Sequence, residues 1–295
     1  MNRTFLAPAV AIAVTLSACG GSAGADEAPT TLLPAPTTTS STPTTPPTTV
    51  QPPTTTTTTV SPFARPDWLG TRPLPLRDDG HGAVLATPTE LVDRRLETVR
   101  LLPPPASGEF EFTIQPVPDD VLARSSWTPD CPVGVDGLAY VTVSHVGFDG
   151  GVHTGELLVN AAWAEEIVGV FREIFEARFP IEQMRVIRLD EVDDPPTGDW
   201  NETTSFVCRP AVGNTSWSQH AYGLAIDVNP FHNPYEKGDL VIPELASAYT
   251  DRALLRPGMI QADDVVVEAF AAIGWAWGGE WNSLKDWMHF SASGG

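Results

Sequence analysis

Positive charge is what this chain has least of: 17 Lys and Arg stand against 37 Asp and Glu, a formal net charge of -20 over 295 residues. Such a balance repels phosphate backbones and anionic headgroups, which argues against nucleic acid or an acidic lipid surface as a partner. Long apolar runs are absent after Leu16. No second membrane span is therefore encoded, since one takes about twenty apolar residues. Cysteine occurs only at positions 19, 131 and 208, and there are only six histidines. With so few of either, the places where they fall carry the argument.

The N-terminus reads as an export signal. Arg3 gives a positive start, and Phe5 to Leu16 form an apolar region too short for a comfortable span. It ends Leu16, Ser17, Ala18, Cys19, Gly20, which resembles the lipobox of bacterial lipoproteins. That resemblance implies a signal peptide over residues 1–19 and a lipid on Cys19 that tethers an extracytoplasmic protein to the membrane, facing the cell wall. A plain secretory signal with an incidental cysteine is the alternative. Residues 20–62 are rich in Thr and Pro, with TPTTPPTTV and six consecutive threonines. They carry too little apolar surface to offset the entropy of ordering and read as a disordered spacer. Residues 63–108, rich in Pro and Arg, read as an extension with a short helix over Thr89–Leu96, wrapping the following domain through Trp68 and Leu69.

The stretch from Thr215 to Pro230, TSWSQHAYGLAIDVNP, places His220 and Asp227 seven residues apart around Gly223. A neutral imidazole and a carboxylate suit a borderline cation such as Zn2+, and a catalytic zinc takes three protein ligands with one position open to water. His289, in the late run DWMHF, is the third candidate. Tyr222, Leu224, Ile226 and Val228 alternate as a half-buried strand does. On a regular strand His220 and Asp227 would point to opposite faces, so Gly223 is read as a bend, with His220 in a turn entering the strand and Asp227 within it.

Ser218, His220, Gly223, Ala225 and Asp227, followed by Asp286 three residues before His289, form a pattern that resembles the zinc D-Ala-D-Ala carboxypeptidases and dipeptidases and the related L-Ala-D-Glu endolysins. The likeness runs from about Tyr140 to Ser291, through CRP at Cys208 to Pro210, NPF at Asn229 to Phe231, and GWAWGG. It implies the fold shared by hedgehog proteins and D-Ala-D-Ala metallopeptidases, and peptidoglycan stem peptides as substrate. It also implies Asp286 as the general base and Arg209 as the cation facing the oxygen that turns negative when water attacks. Glu280 is the rival base. Ser218 is read as orienting substrate or ligand.

The remaining calls for chemistry are few. His153 lies in the FDGGVHTGE loop, where it either contacts substrate or is structural; His145 beside it is read the same way with substrate contact less favoured, and His232 as a loop residue with substrate contact as the lesser alternative. Cys131 and Cys208 make an even pair for a disulfide in an oxidising compartment, with thiolate ligation of zinc as the alternative. Strands are read at Phe110–Ile114, Leu138–Val143, Gly155–Val159, Met184–Leu189 and Asp286–Phe290, a helix from Ala161 to Pro180, and a second over Gln261–Ile273. Residues 109–295 are thus expected to form an α+β domain in which a small antiparallel sheet carries the zinc site and helices pack against it.

Overall fold

A long hairpin of β-branched and apolar residues forms the scaffold, with an apolar cluster on each of its two faces. A computed structural model describes Ser61 and residues 63–211 and 215–294. The signal peptide, Cys19 and, Ser61 apart, the spacer lie outside the described residues, all of which belong to one compact unit, Thr57–Gly295. Strand β1 (Phe112–Pro116) precedes a short helix α1 (Asp119–Arg124), and β2 (Leu138–Val146) and β3 (Val152–Asn160) complete an antiparallel sheet in the order β1-β2-β3. Asp149 closes the hairpin turn by accepting from the Gly151 amide at 2.9 Å. Both faces of the hairpin are buried. Val141, Val143, Leu157 and Val159 join the main core, while Tyr140 and Leu158 face a second cluster with Val186 and Phe206.

Helix α2 (Ala164–Glu176) covers the first of those faces with Ile167, Val170, Phe171 and Ile174, spaced as one stripe of a 3.6-residue helix. The Asn160 side chain accepts from the Ala162 amide and starts a single 3-10 turn ahead of it. The chain then forms β4 (Gln183–Met184) and β5 (Glu202–Thr203), a parallel pair, followed by β6 (Ala225–Asp227), β7 (Tyr235–Lys237) and β8 (Leu240–Ile242). Helix α3 (Val265–Ala272), capped by Asp264, leads to β9 (Ala276–Trp277), β10 (Lys285–Asp286) and β11 (His289–Ser291). Two further three-stranded sheets result, β10-β7-β8 and β6-β11-β9. The architecture is α+β, and no helix among the described residues is long and apolar enough to cross a membrane.

Several expected elements are shorter than their sequence patterns. Thr89–Leu96 contains only a 3-10 turn, Thr89–Leu91. Of the expected Met184–Leu189 strand only Met184 lies in β4, which pairs with β5 over two residues. Asp286 and His289 lie on different strands in different sheets, β10 pairing with β7 and β11 with β6 and β9. The stretch Ala225–Val228 is buried on both faces rather than half-buried, because Ile226 and Val228 enter the main core while Asp227 is covered by the site.

The 63–108 segment is held by a buried charge pair. Arg94 donates to both oxygens of Glu182, at 2.7 and 2.8 Å, and to the Asp199 carbonyl at 2.7 Å. Asn201 and Arg65 donate to the same carboxylate. Burial alone would raise the Glu182 pKa, but the Arg94 charge and hydrogen bonds, with Arg65 behind them, push it down to about 2. Trp68, Leu69, Leu91 and Leu96 pack beside this pair on Phe231 and Tyr249. Replacing Glu182 by Gln strands a buried guanidinium and is expected to lower unfolding free energy by about 3–5 kcal/mol in urea titration. Because the folded pKa lies below the reference 4.5, Glu182 contributes fully above pH 4.5. The gap between native and variant is expected to close as the pH falls toward about 2.

Candidate metal centre

Three backbone features bring the site together. A 3-10 turn, Gln219–Tyr222, carries His220, and its cap Ser218 accepts from the His220 amide at 3.3 Å. Gly223 then takes a left-handed conformation, φ +67°, which reverses the chain into β6. A β-carbon there would lie 2.5 Å from the Asn160 nitrogen and 2.8 Å from the Val159 carbonyl carbon. Only glycine fits both the conformation and the space. Asn160 clamps this turn from the end of β3, donating its amide to the Gly223 carbonyl and its side chain to the Tyr222 carbonyl.

Within the small sheet His289 is directly opposite Asp227, and Phe290 opposite Ile226. Side chains of directly opposed residues share a face, so Ile226 and Phe290 enter the core while Asp227 and His289 turn to the other side. Phe290 stacks on Phe270 with ring centres 4.2 Å apart, which backs β11 with α3. On the other edge of β6, Thr204 exchanges both backbone hydrogen bonds with Asp227.

His220 Nε2 lies 3.2 Å from Asp227 Oδ2, and His289 Nδ1 lies 3.1 Å from Asp227 Oδ1. One donor atom from each of the three residues falls within 4.8 Å of the others, and all three residues are buried. His220 Nδ1 donates to the Ser205 carbonyl at 2.6 Å. That bond leaves the Nε2 lone pair directed at the cluster, the arrangement by which an outer partner orients a metal-ligating imidazole. The two imidazoles overcome burial and hold the Asp227 carboxyl well below the usual carboxylate range. Two imidazole nitrogens and one carboxylate oxygen in a buried triangle fit a divalent zinc-like cation.

Asp286 is the second chemical group. Its Oδ1 is buried with no hydrogen-bond partner. Burial, reinforced by the negative charge of Asp227, pushes its pKa up to about 7 against the opposing influence of His289 and Arg209. The backbone of Asp286 crowds Gly278, where a β-carbon would lie 2.6 Å from the Asp286 carbonyl oxygen. Arg209 lines the same cleft as His220 and Asp227, and its only described side-chain bond runs to the Pro210 carbonyl. Cys208 beside it is bonded to Cys131 in a disulfide, so neither sulfur is available to a metal.

Other expected positions fall elsewhere. Ser218 caps the His220 turn and is not among the residues lining the cleft. His153 is buried in the hairpin opposite His145 and bonded to Asp149 at 3.0 Å, away from the cleft-lining set. His232 bonds the Arg94 carbonyl at 3.0 Å and stacks on Phe148. Glu280 is exposed and lines a separate shallow hollow with Trp277 and Trp281. Sequence reasoning missed Ser205 and Thr204, which act through backbone groups that any residue supplies. It also missed Trp281, whose ring lies 5.5 Å from that of His289.

The D-alanyl-D-alanine carboxypeptidase family model matches residues 212–292, a span that includes His220, Asp227, Asp286 and His289. No curated protein matches the chain, and no solved structure does. Changing Gly223 to Ala is expected to destabilise the fold by about 1–3 kcal/mol or more through backbone strain. Because the turn sets His220 against Asp227, the cluster's affinity for an added divalent metal ion is also expected to fall about tenfold or more in a chelator competition titration.

Proposed function

We propose that this chain is a zinc-dependent peptidase acting on peptidoglycan stem peptides, most simply a D-alanyl-D-alanine carboxypeptidase. The observation that carries the reading is the buried Asp286, whose Oδ1 has no hydrogen-bond partner among the described residues and whose pKa is pushed up to about 7, beside the His220, Asp227 and His289 cluster. His220, Asp227 and His289 would hold the zinc. When bound, zinc supplies Lewis acidity, polarising a carbonyl and acidifying water. Asp286 takes the proton from the attacking water and returns it to the leaving amine, work that suits a carboxyl whose pKa lies near the operating pH. The Arg209 guanidinium faces the negative charge that builds on the carbonyl oxygen. A lipid on Cys19 and the Thr/Pro-rich spacer would hold the domain outside the membrane and within reach of the wall.

One observation favours an L-Ala-D-Glu endopeptidase as the second reading. The cleft extends well past the cluster, to residues of the 65–81 and 191–199 segments, leaving room for chain beyond a terminal residue. Mass spectrometry of purified muropeptides incubated with the zinc-loaded protein separates the two. Loss of one terminal Ala is expected, an internal cut before D-Glu supports the second reading, and no cut by folded, metal-loaded protein contradicts both in favour of a binding module. Asp286→Asn is expected to keep its zinc and lose about 10²–10⁴-fold in turnover. Wild-type activity is expected to fall with acid along a limb at or below about pH 7, since a protonated Asp286 cannot accept the proton.

A further inference from the structure

We infer that residues 65–81 of the N-terminal extension are a built part of the substrate site, a fixed wall that makes the cleft select a peptide longer than a terminal dipeptide. This inference rests on the peptidase reading above. The cleft that contains His220 and Asp227 is also lined by Arg65, Leu69, Thr71, Pro73 and His81. These residues lie more than 130 positions upstream of the metal cluster and outside the 212–292 span of the family match.

The segment is clamped to the opposite rim rather than laid over it. The Gly70 amide donates to Asp199 Oδ2 at 2.9 Å, the Leu74 amide to the Pro196 carbonyl at 2.8 Å, and the Gly82 amide to Glu244 Oε1 at 2.9 Å. Arg94 Nη1 reaches the Asp199 carbonyl from its buried pair with Glu182. Leu74 also fills the space under Gly198, where a β-carbon would lie 2.6 Å from Leu74 Cδ1. Extension and rim loop are therefore joined into one hydrogen-bonded wall, and a wall already ordered before binding saves the cost of ordering it in the complex.

Size gives the substrate class. The cleft encloses about 770 Å³, within the roughly 300–1,000 Å³ of sites that bury most of a drug-sized ligand. A bare D-Ala-D-Ala leaves much of that volume to water, whereas a stem peptide of four or five residues reaches the extension. Thr71 and Pro73 are exposed, and among the described residues the Thr71 hydroxyl donates to the local Trp68 carbonyl. They are surfaces for a ligand, not supports for the core.

The test uses zinc-loaded full-length protein carrying Asp286→Asn, so that peptide is held without being cut. Calorimetry is run with a synthetic stem pentapeptide ending in D-Ala-D-Ala and with the free dipeptide. The pentapeptide is expected to bind at least tenfold tighter than the dipeptide, and Thr71→Trp to remove at least tenfold of that preference, with unchanged melting temperature. Pro73→Trp, a second exposed position on the same wall, is expected to do the same. Equal affinity for the two probes, no binding of either, or a preference that survives both substitutions overturns the wall. Failure of the peptidase reading shows separately, as wild-type protein that binds the pentapeptide and never cleaves it.

Discussion

The opposition of His289 and Asp227 across two three-residue strands is the constraint on which the site depends. Strand pairing fixes side chains in pairs, so setting Phe290 against Ile226 in the core also sets an imidazole against a carboxylate on the other face. A one-residue slip would send Asp227 into the apolar core and Ile226 into the cleft. The apolar side therefore enforces the polar one. Phe290 stacks between Phe270 and Trp277, and that packing holds the register that a short, weak sheet would not hold alone.

The other imidazole comes by a different route. His220 belongs to a single turn whose geometry is set by Gly223 and by two hydrogen bonds from Asn160 at the end of the scaffold hairpin. Turn, hairpin and sheet thus meet around one buried carboxylate. Its neighbour Asp286 is treated in the opposite way. Asp227 is held ionised between two imidazoles, while burial, with the negative charge of Asp227 beside it, pushes the Asp286 pKa up to about 7. Two carboxyl groups given divergent environments are suited to divergent tasks, ligand and base.

Much of this was legible in the sequence where local rules decide. The parity clash between His220 and Asp227 required a break, and Gly223 is that break. The apolar spacing of α2 is a local signal of the same kind, whereas α3 starts at Val265 behind its Asp264 cap, four residues later than the expected Gln261. Tertiary pairing was not legible. Asp286 and His289 read as one strand because nothing nearby in sequence reveals that β7 takes the first and β6 the second. His153 looked available in a Gly-rich loop, yet cross-strand register buries it against His145 and Asp149. The anchoring of the 63–108 segment through Arg94 and Glu182, 88 residues apart, leaves no pattern in either neighbourhood.

A zinc-edge anomalous difference map from crystals of the zinc-loaded protein tests the central claim most directly. The account predicts one strong peak bonded to His220 Nε2, His289 Nδ1 and an Asp227 oxygen at about 2.0–2.2 Å, with a remaining position open toward Asp286 and Arg209. Zinc held elsewhere, or a cluster closed by a fourth protein ligand, would contradict a catalytic site built on these three residues.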